Sequence, residues 1–420
     1  MTDPSATDEP ILTVEDLKTH YPIHKGWLRR EVGRIRAVDG VSFNLRRGEA
    51  LGLVGESGSG KSTVARTIMG LETATDGEIR FGGTPVDDLE GEDRRAFQRR
   101  VQLVVQNPDD AFSPRMTVGE AVAEPLRLHG MDDADRRRAI VADLLERVGL
   151  SAADADRHPH EFSGGEKQRI AIARALVVNP DLIVADEPAS ALDSRVKSDV
   201  LALLDRIRRE YDVSVLFISH DIDAVRMFCD RVAVMYLGEI VERGPIDEVL
   251  DAPAHPYTRV LLRSVPSLDP TDRSLGRPLT ETIPDPADPP DGCSFHTRCP
   301  EVIPPTNADL SPETWTAVAA FRFTLETGEF ADHGQTDTTI RERFGLPDPI
   351  PDDDLERAVD DAITAVTTDD HKRAAARLAD TIETVCERCS PETVDHDGRP
   401  VACHRYDPEI DADPRPWSDD

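Results

Sequence analysis

Short apolar runs alternate with longer amphipathic stretches through the first 250 residues. Residues 50–54, 101–105, 181–185 and 213–218 are mostly apolar over a strand's length, the pattern of strands covered on both faces. Helical periodicity fills the gaps at 63–69, 118–150, 166–178 and 192–210, with Gly130 and Asp132 dividing the second of these into two helices. Strands alternating with helices predict an α/β core around a mostly parallel sheet. Residues 11–17 and 35–45 read as strands of a small antiparallel layer, with an insertion over 23–35. The pattern changes after Pro253. A short helix is expected over 259–264, and the Pro-, Asp- and Gly-rich stretch 269–292 reads as linker or extended wrapping. One short element over 317–329 and two acidic amphipathic helices over 355–367 and 372–385 precede a loose tail at 411–420. No internal repeat is evident.

Chemistry enters at the end of the run 50–54. Gly55-Glu56-Ser57-Gly58-Ser59-Gly60-Lys61-Ser62 is a phosphate-binding loop: a Gly, four residues, then Gly-Lys-Ser. Glycines let backbone N–H groups close around phosphate oxygens. Lys61 is placed to neutralise the β and γ phosphates, and Ser62 offers a hydroxyl to Mg²⁺. The helix that begins near Thr63 points its N-terminus at the anion.

The run 181–185 ends in two carboxylates, Asp186 and Glu187. Asp186 is the expected Mg²⁺ holder; Glu187, one residue nearer the attacking water, is the expected proton acceptor. Phe162-Ser163-Gly164-Gly165-Glu166-Lys167-Gln168 precedes an apolar-periodic helix. Ser163 and Glu166 have the spacing of a capping box. Two glycines between cap and helix are unnecessary for capping, and they would let backbone N–H groups approach a phosphate closely.

Here the chain resembles the ATP-binding-cassette (ABC) ATPases, whose signature loop this segment matches with Glu166 where the family usually has Gln. The resemblance implies a P-loop NTPase cassette with a small antiparallel β layer, a helical signature subdomain and a Cys-containing C-terminal extension. It assigns Gln106 to contact Mg²⁺ or water and to sense a membrane partner, and His220 to bond the γ-phosphate. Ser190-Ala191-Leu192-Asp193 becomes the loop that crosses to a second subunit. Tyr21 becomes the aromatic that stacks on adenine, with a core or surface tyrosine as the alternative. Two cassettes would face head to tail, each ATP gripped by Lys61 on one and by Ser163, Gly164, Gly165 and Glu166 on the other.

His255-Pro256-Tyr257-Thr258 with Leu261-Leu262, the segment 108–125 with Ser113-Pro114-Arg115-Met116-Thr117, and Ala37-Val38-Asp39-Gly40-Val41-Ser42-Phe43 are similar to oligopeptide/dipeptide importer ATPases. That branch implies a second, similar ATPase as heterodimer partner, two membrane-spanning permease subunits and an extracellular solute-binding protein. The chain would then sit at the cytoplasmic face of the membrane. Importers of nickel or glycosides are the alternative, and a soluble ABC ATPase is a further one. The expected layout is a flexible 1–10, a cassette over 11–250, an importer-type segment over 251–300, an acidic insertion over 301–385 and a Cys-containing tail over 386–420.

Five of six cysteines lie in the tail. Family tails with the run Gly292–Pro300 can hold a [4Fe–4S] cluster on four thiolates. The resemblance therefore offers Cys293, Cys299, Cys386 and Cys403 as ligands, with Cys389 competing for the third position, Zn²⁺ as the alternative occupant, and free or paired cysteines as the alternative to any metal. Soft thiolates suit either. Cys229 reads as a buried apolar residue.

Charge changes the picture of the surface. Net charge is -32, from 81 acidic and 49 basic residues. Such an excess predicts a solvated, halophilic-type surface whose self-repulsion high salt screens, and it argues against a nucleic-acid partner. The first ten residues are polar and acidic and no run of 18 apolar residues occurs. A peripheral cytoplasmic protein is expected.

Overall fold

A computed structural model describes residues 9–26, 30–263, 278–305, 310–330, 337–368 and 370–410. The chain divides into two compact units, Met1–Asp251 and Ala252–Asp420. Most of the expected N-terminal arm, the first part of the 269–292 stretch and the 411–420 tail lie outside the described residues.

The first unit opens with β1 (Pro10–Lys25) and β2 (Arg30–Arg46), a long antiparallel pair, then β3 (Ala50–Val54) and α1 (Lys61–Ile68). Next come β4 (Asp76–Phe81), β5 (Thr84–Pro85), α2 (Gly91–Arg100) and β6 (Val101–Val104). The helices α3 (Val118–Leu128), α4 (Ala134–Arg147) and α5 (Gly164–Leu176) form a helical subdomain. The rest of the unit is β7 (Leu182–Asp186), α6 (Ser194–Tyr211), β8 (Ser214–Ser219), α7 (Ile222–Phe228), β9 (Arg231–Tyr236), β10 (Glu239–Pro245) and α8 (Ile246–Asp251).

In this unit the central sheet runs β10-β9-β3-β8-β7-β6, parallel except for β10. All of β3 and β8 is buried, as expected of strands sandwiched on both faces. The second sheet, β2-β1-β4-β5, is antiparallel. One apolar core joins the two sheets through α1, with Leu12, Leu17 and Phe43 from one, Val64 and Ile68 from α1, and Leu53, Val184 and Leu216 from the other. The segment 23–35, expected as an insertion between β1 and β2, instead continues both strands in its described residues: Tyr21 pairs with Ile35, Ile23 with Gly33 and Lys25 with Arg30. Residues 24–26 and 30–32 are exposed.

The second unit contains α9 (Pro256–Arg263), then irregular chain over 278–305, then α10 (Pro312–Glu326), α11 (Asp337–Phe344), α12 (Asp353–Thr367), α13 (His371–Ala379) and α14 (Val385–Arg388). It ends in a hairpin of β11 (Thr393–His396) and β12 (Arg399–Ala402). Trp315, Phe321 and Phe323 of α10 are fully buried. The helix expected over 372–385 stops at Ala379, and Thr384 caps a separate turn.

Candidate functional site

The sheet order decides the site. Gln106 follows β6, Asp186 ends β7, Glu187 follows it and His220 follows β8, so three adjacent strands deliver these side chains to one edge. The loop between β3 and α1 emerges beside β8 at the same edge. Ligands of open α/β sheets bind at such carboxyl ends.

Within that loop, Lys61 is 5% exposed. Its Nζ donates to the carbonyls of Gly55 and Glu56, both at 2.8 Å, and to Ser59 Oγ at 3.2 Å. Burial lowers its pKa, opposed by Glu187, Asp186 and Glu56. Gly60 has φ 102°, and a Cβ there would stand 1.9 Å from the Ala37 carbonyl oxygen. A Cβ on Gly55 would stand 2.1 Å from that of Met235. Neither position tolerates a side chain. Ser57 and Gly58 form the exposed crown of the loop, and Thr63 is half-buried in the first turn of α1.

Ser62 Oγ donates to Asp186 Oδ1 at 3.3 Å. Burial raises the Asp186 pKa; the Ser62 hydrogen bond opposes it, Glu187 adds to it, and Lys61 and Arg66 lower it. Glu187 is held at both oxygens, by Gln106 Nε2 at 2.7 Å and by His220 Nδ1 at 2.9 Å. Its backbone has φ 48°, while its N–H donates back to Ile218 of β8 at 2.9 Å. The sharp turn lets consecutive residues present two carboxylates at one strand end. Lys61, Ser62, Gln106, Asp186, Glu187 and His220 are thus brought together.

Among the described residues, Ser163 and Tyr21 share no hydrogen bond with that cluster. Ser163 caps α5: its Oγ donates to Glu166 Oε2 at 2.7 Å, its N–H donates to the same oxygen at 2.8 Å, and the Glu166 N–H returns to Ser163 Oγ at 3.4 Å. These bonds hold the Glu166 carboxyl below its usual range. Gly164 and Gly165 are the first residues of the helix itself, not spacers before it. A Cβ on Gly165 would meet Val196 Cγ1 of α6 at 2.3 Å, whereas the nearest neighbour for one on Gly164 is Leu192 Cδ2 at 3.6 Å. Packing against α6 therefore requires one of the two glycines. Tyr21 lies in β1 opposite Ile35, half-buried.

Sequence reasoning missed two tethers. Lys167 Nζ donates to Asp109 Oδ1 at 2.6 Å, tying α5 to the loop after Gln106. Lys197 pairs with Asp221, tying α6 to the turn after His220. The chain has only six lysines, and their scarcity in an Arg-rich chain was the available signal.

In the second unit, burial pushes the Cys299 thiol well up, followed by the influence of Glu301, Cys386, Cys403 and Cys293. Cys403 is pushed up to about 12, chiefly by burial and with Cys386 among its neighbours. The Cys293 N–H donates to the Cys386 carbonyl at 2.8 Å. Cys389 is exposed, and its carbonyl lies 2.8 Å from His404 Nε2, next to Cys403. Among the described residues, no three His, Cys, Asp or Glu side chains are disposed around a single metal ion. Cys229, in the first unit, is buried at the end of α7.

A groove of about 760 Å³ in the helical subdomain is lined by Thr117, Glu120, Glu124, Arg127, Arg137 and Arg138, among others. No described helix is long and apolar enough to cross a membrane.

A phosphate loop, a carboxylate pair and a helical subdomain opening on a serine-glycine-glycine turn define an ATPase of the cassette class. The comparisons agree. The ABC transporter family matches residues 38–190, the oligopeptide/dipeptide transporter C-terminal region matches 241–304, and a domain of unknown function matches 312–399. The chain is 46% identical to the oligopeptide transport ATP-binding protein AppF of Bacillus subtilis, over 71% of this chain and 92% of that one. It is 42% identical to the dipeptide transport ATP-binding protein DppF of Escherichia coli, over 71% and 89%. Among solved structures, the ATP-binding cassette MJ0796, a dimer bound to ADP and phosphate, superposes with TM-score 0.50 at 29% identity, covering 56% of this chain and 98% of that one. The chain belongs to the ATP-binding proteins of oligopeptide/dipeptide ABC transporters, and its activity is ATP hydrolysis coupled to transport.

Proposed function

We propose that this chain drives uptake of dipeptides or oligopeptides by closing on ATP together with a second, similar cassette. The observation that carries the reading is Glu187, gripped at both oxygens by Gln106 and His220. One contact on each oxygen aims the carboxylate and leaves each oxygen a further lone pair with which to accept a proton from water. His220 is the group that gains an alternative partner when a γ-phosphate arrives. The loop 55–60 and Lys61 hold the phosphates, with Lys61 exchanging loop carbonyls for phosphate oxygens. Ser62, Asp186 and Gln106 would hold Mg²⁺, which supplies charge neutralisation on the phosphates. Tyr21 stacks on adenine. Ser163 swaps its bond to Glu166 for the γ-phosphate of the partner's ATP. Positioning and electrostatics supply most of the rate.

The groove between α3 and α4 is the docking place for one of two permease subunits, since it follows the Gln106 loop in sequence and Lys167 ties that loop to α5. The chain then sits peripherally at the cytoplasmic face, with an extracellular binding protein supplying solute. The cassette does not touch the solute, so nickel or glycosides are separated from peptides by transport assay with the native membrane partners.

Cys293, Cys299, Cys386 and Cys403 form one site in this reading, with Cys389 outside it. The donor set fits: the soft thiols of Cys293, Cys386 and Cys403 all lie within electrostatic reach of the buried Cys299. Soft thiolates suit iron–sulfur and zinc alike; in this reading the occupant is [4Fe–4S], with Zn²⁺ as the alternative, and it acts as a staple for the second unit.

The decisive test is Glu187→Gln in the reconstituted transporter. ATP binding is expected to persist while turnover falls by about a hundredfold or more. Turnover at the wild-type rate overturns the assignment.

A further inference from the structure

The stretch between the second and third thiols is long in sequence, yet its first helix bridges their segments. Trp315 Nε1 of α10 donates to the Val302 carbonyl at 2.7 Å, just past Cys299. Phe323 meets the His296 ring edge-on, with centroids 5.3 Å apart, between Cys293 and Cys299. Arg322, on the same helix and 3% exposed, reaches the segment of the third thiol. Its guanidinium bonds both carboxylate oxygens of Glu387, one through Nη1 at 3.0 Å and the other through Nη2, and Nη1 also donates to the Ile382 carbonyl.

Glu387 passes the constraint to its neighbour. Its Oε2 accepts the Thr384 N–H at 2.9 Å, and Thr384 Oγ1 accepts the Cys386 N–H at 2.9 Å. The Cys386 carbonyl then accepts the Cys293 N–H. A Cβ on Gly292 would stand 2.4 Å from the Cys386 oxygen and 2.8 Å from that of Glu387. The two thiol-bearing turns therefore lie backbone to backbone, and Arg322 is the charged group that fastens one of them to α10.

We propose that α10 positions the thiol site and that Arg322, through Glu387, is the residue that sets Cys386 against Cys293. This rests on the reading of the four thiols as one site. It gives the 312–399 region, matched to a domain of unknown function, a role as scaffold for one thiol within it, Cys386, and for three that flank it, Cys293, Cys299 and Cys403. A plain structural ion pair would behave differently. Arg322 also bonds Glu326 at 2.8 Å, four residues on in the same helix. Loss of Glu326 removes one carboxylate from the guanidinium without touching Cys386; loss of Glu387 cuts the link.

The test uses the full chain, purified anaerobically, as wild type and as Arg322→Met, Arg322→Lys, Glu387→Gln and Glu326→Gln. Iron, sulfide and zinc per chain are measured, with thermal unfolding as the check on folding. Arg322→Met and Glu387→Gln are expected to lower iron and sulfide about tenfold or more, and Glu326→Gln to leave them near wild type. Arg322→Lys, a point charge without the fork, falls between and serves if Arg322→Met does not fold.

A second readout needs no metal. Diamide removes two hydrogens from a thiol pair, becoming the hydrazine and leaving a disulfide, and peptide mapping gives the Cys293–Cys386 yield in metal-free chain. That yield is expected to fall with Glu387→Gln and to hold with Glu326→Gln. Equal loading and equal cross-linking in wild type, Glu387→Gln and Arg322→Lys overturn the positioning role while leaving the thiol site standing. A wild type that takes up neither iron nor zinc overturns the site itself, and the cross-linking yields then decide the positioning role alone.

Discussion

At the scale of single residues, burial sets chemistry that charge alone would not. His255 is fully buried, with the Tyr257 N–H donating to its Nδ1 at 3.0 Å and the backbone of Ala402 as its other partner. Burial, then Arg259, drives its pKa from 6.5 down to about 3. The folded protein thus holds the neutral ring where the unfolded chain would already be protonated. Below pH 6.5 the unfolded state binds the extra proton, and stability falls as pH drops through that window toward 3, by about 1.4 kcal/mol per unit. Above pH 6.5 both states are neutral and the contribution is constant. Replacing His255 with Asn, which keeps an acceptor for Tyr257, is expected to flatten this acid-side slope in denaturant titrations of the second unit. Parallel slopes for variant and wild type between pH 6 and 4 would show that His255 is not the titrating group. Glu187 makes the complementary point. Its identity as an acid at a strand end was legible in the motif, but its left-handed backbone and its two captors depend on which strands are neighbours.

Elements were legible where both faces of a strand are covered. The runs around β3, β7 and β8 announced themselves, because in a chain this polar an unbroken apolar run has to be buried on every side. The β11–β12 hairpin was missed although Asp397-Gly398, with φ 53° and 80°, is the dipeptide that two-residue hairpin turns favour. Its flanks are polar, so no alternation drew attention to it. The glycines of the serine turn were read for phosphate approach, and helix packing accounts for one of them better. Gly165 admits α6 so closely that Gly165→Ala should cost about 1–3 kcal/mol through overpacking. Val196→Ala removes the methyl it strikes, so the double variant is expected to recover most of the loss. Additive losses in a double-mutant cycle by chemical denaturation would place the strain elsewhere. ATPase rates on the same variants separate stability from function: a Gly165→Ala chain that stays folded yet slow has a displaced serine turn.

For the whole molecule the governing quantity is a net charge of -32. Two electrostatic terms respond oppositely to salt. Surface ion pairs such as Lys167–Asp109, at 2.6 Å, are attractive and short, and each exposed pair is worth only about 0–1 kcal/mol. The repulsion among unpaired carboxylates acts over longer distances. Screening reaches down to about 10 Å at 0.1 M salt and about 3 Å at 1 M, so salt removes the long-range repulsion before it reaches contact pairs. Stability should therefore rise with KCl, steeply at first and then levelling as the screening length approaches contact distance. The expected result is a thermal midpoint that climbs between 0.1 and about 1 M KCl and is not matched by sucrose, which is excluded from the surface but screens nothing. A midpoint that stays flat or falls in KCl would mean that the acidic surface is already balanced at low salt, and that its composition answers to something other than repulsion.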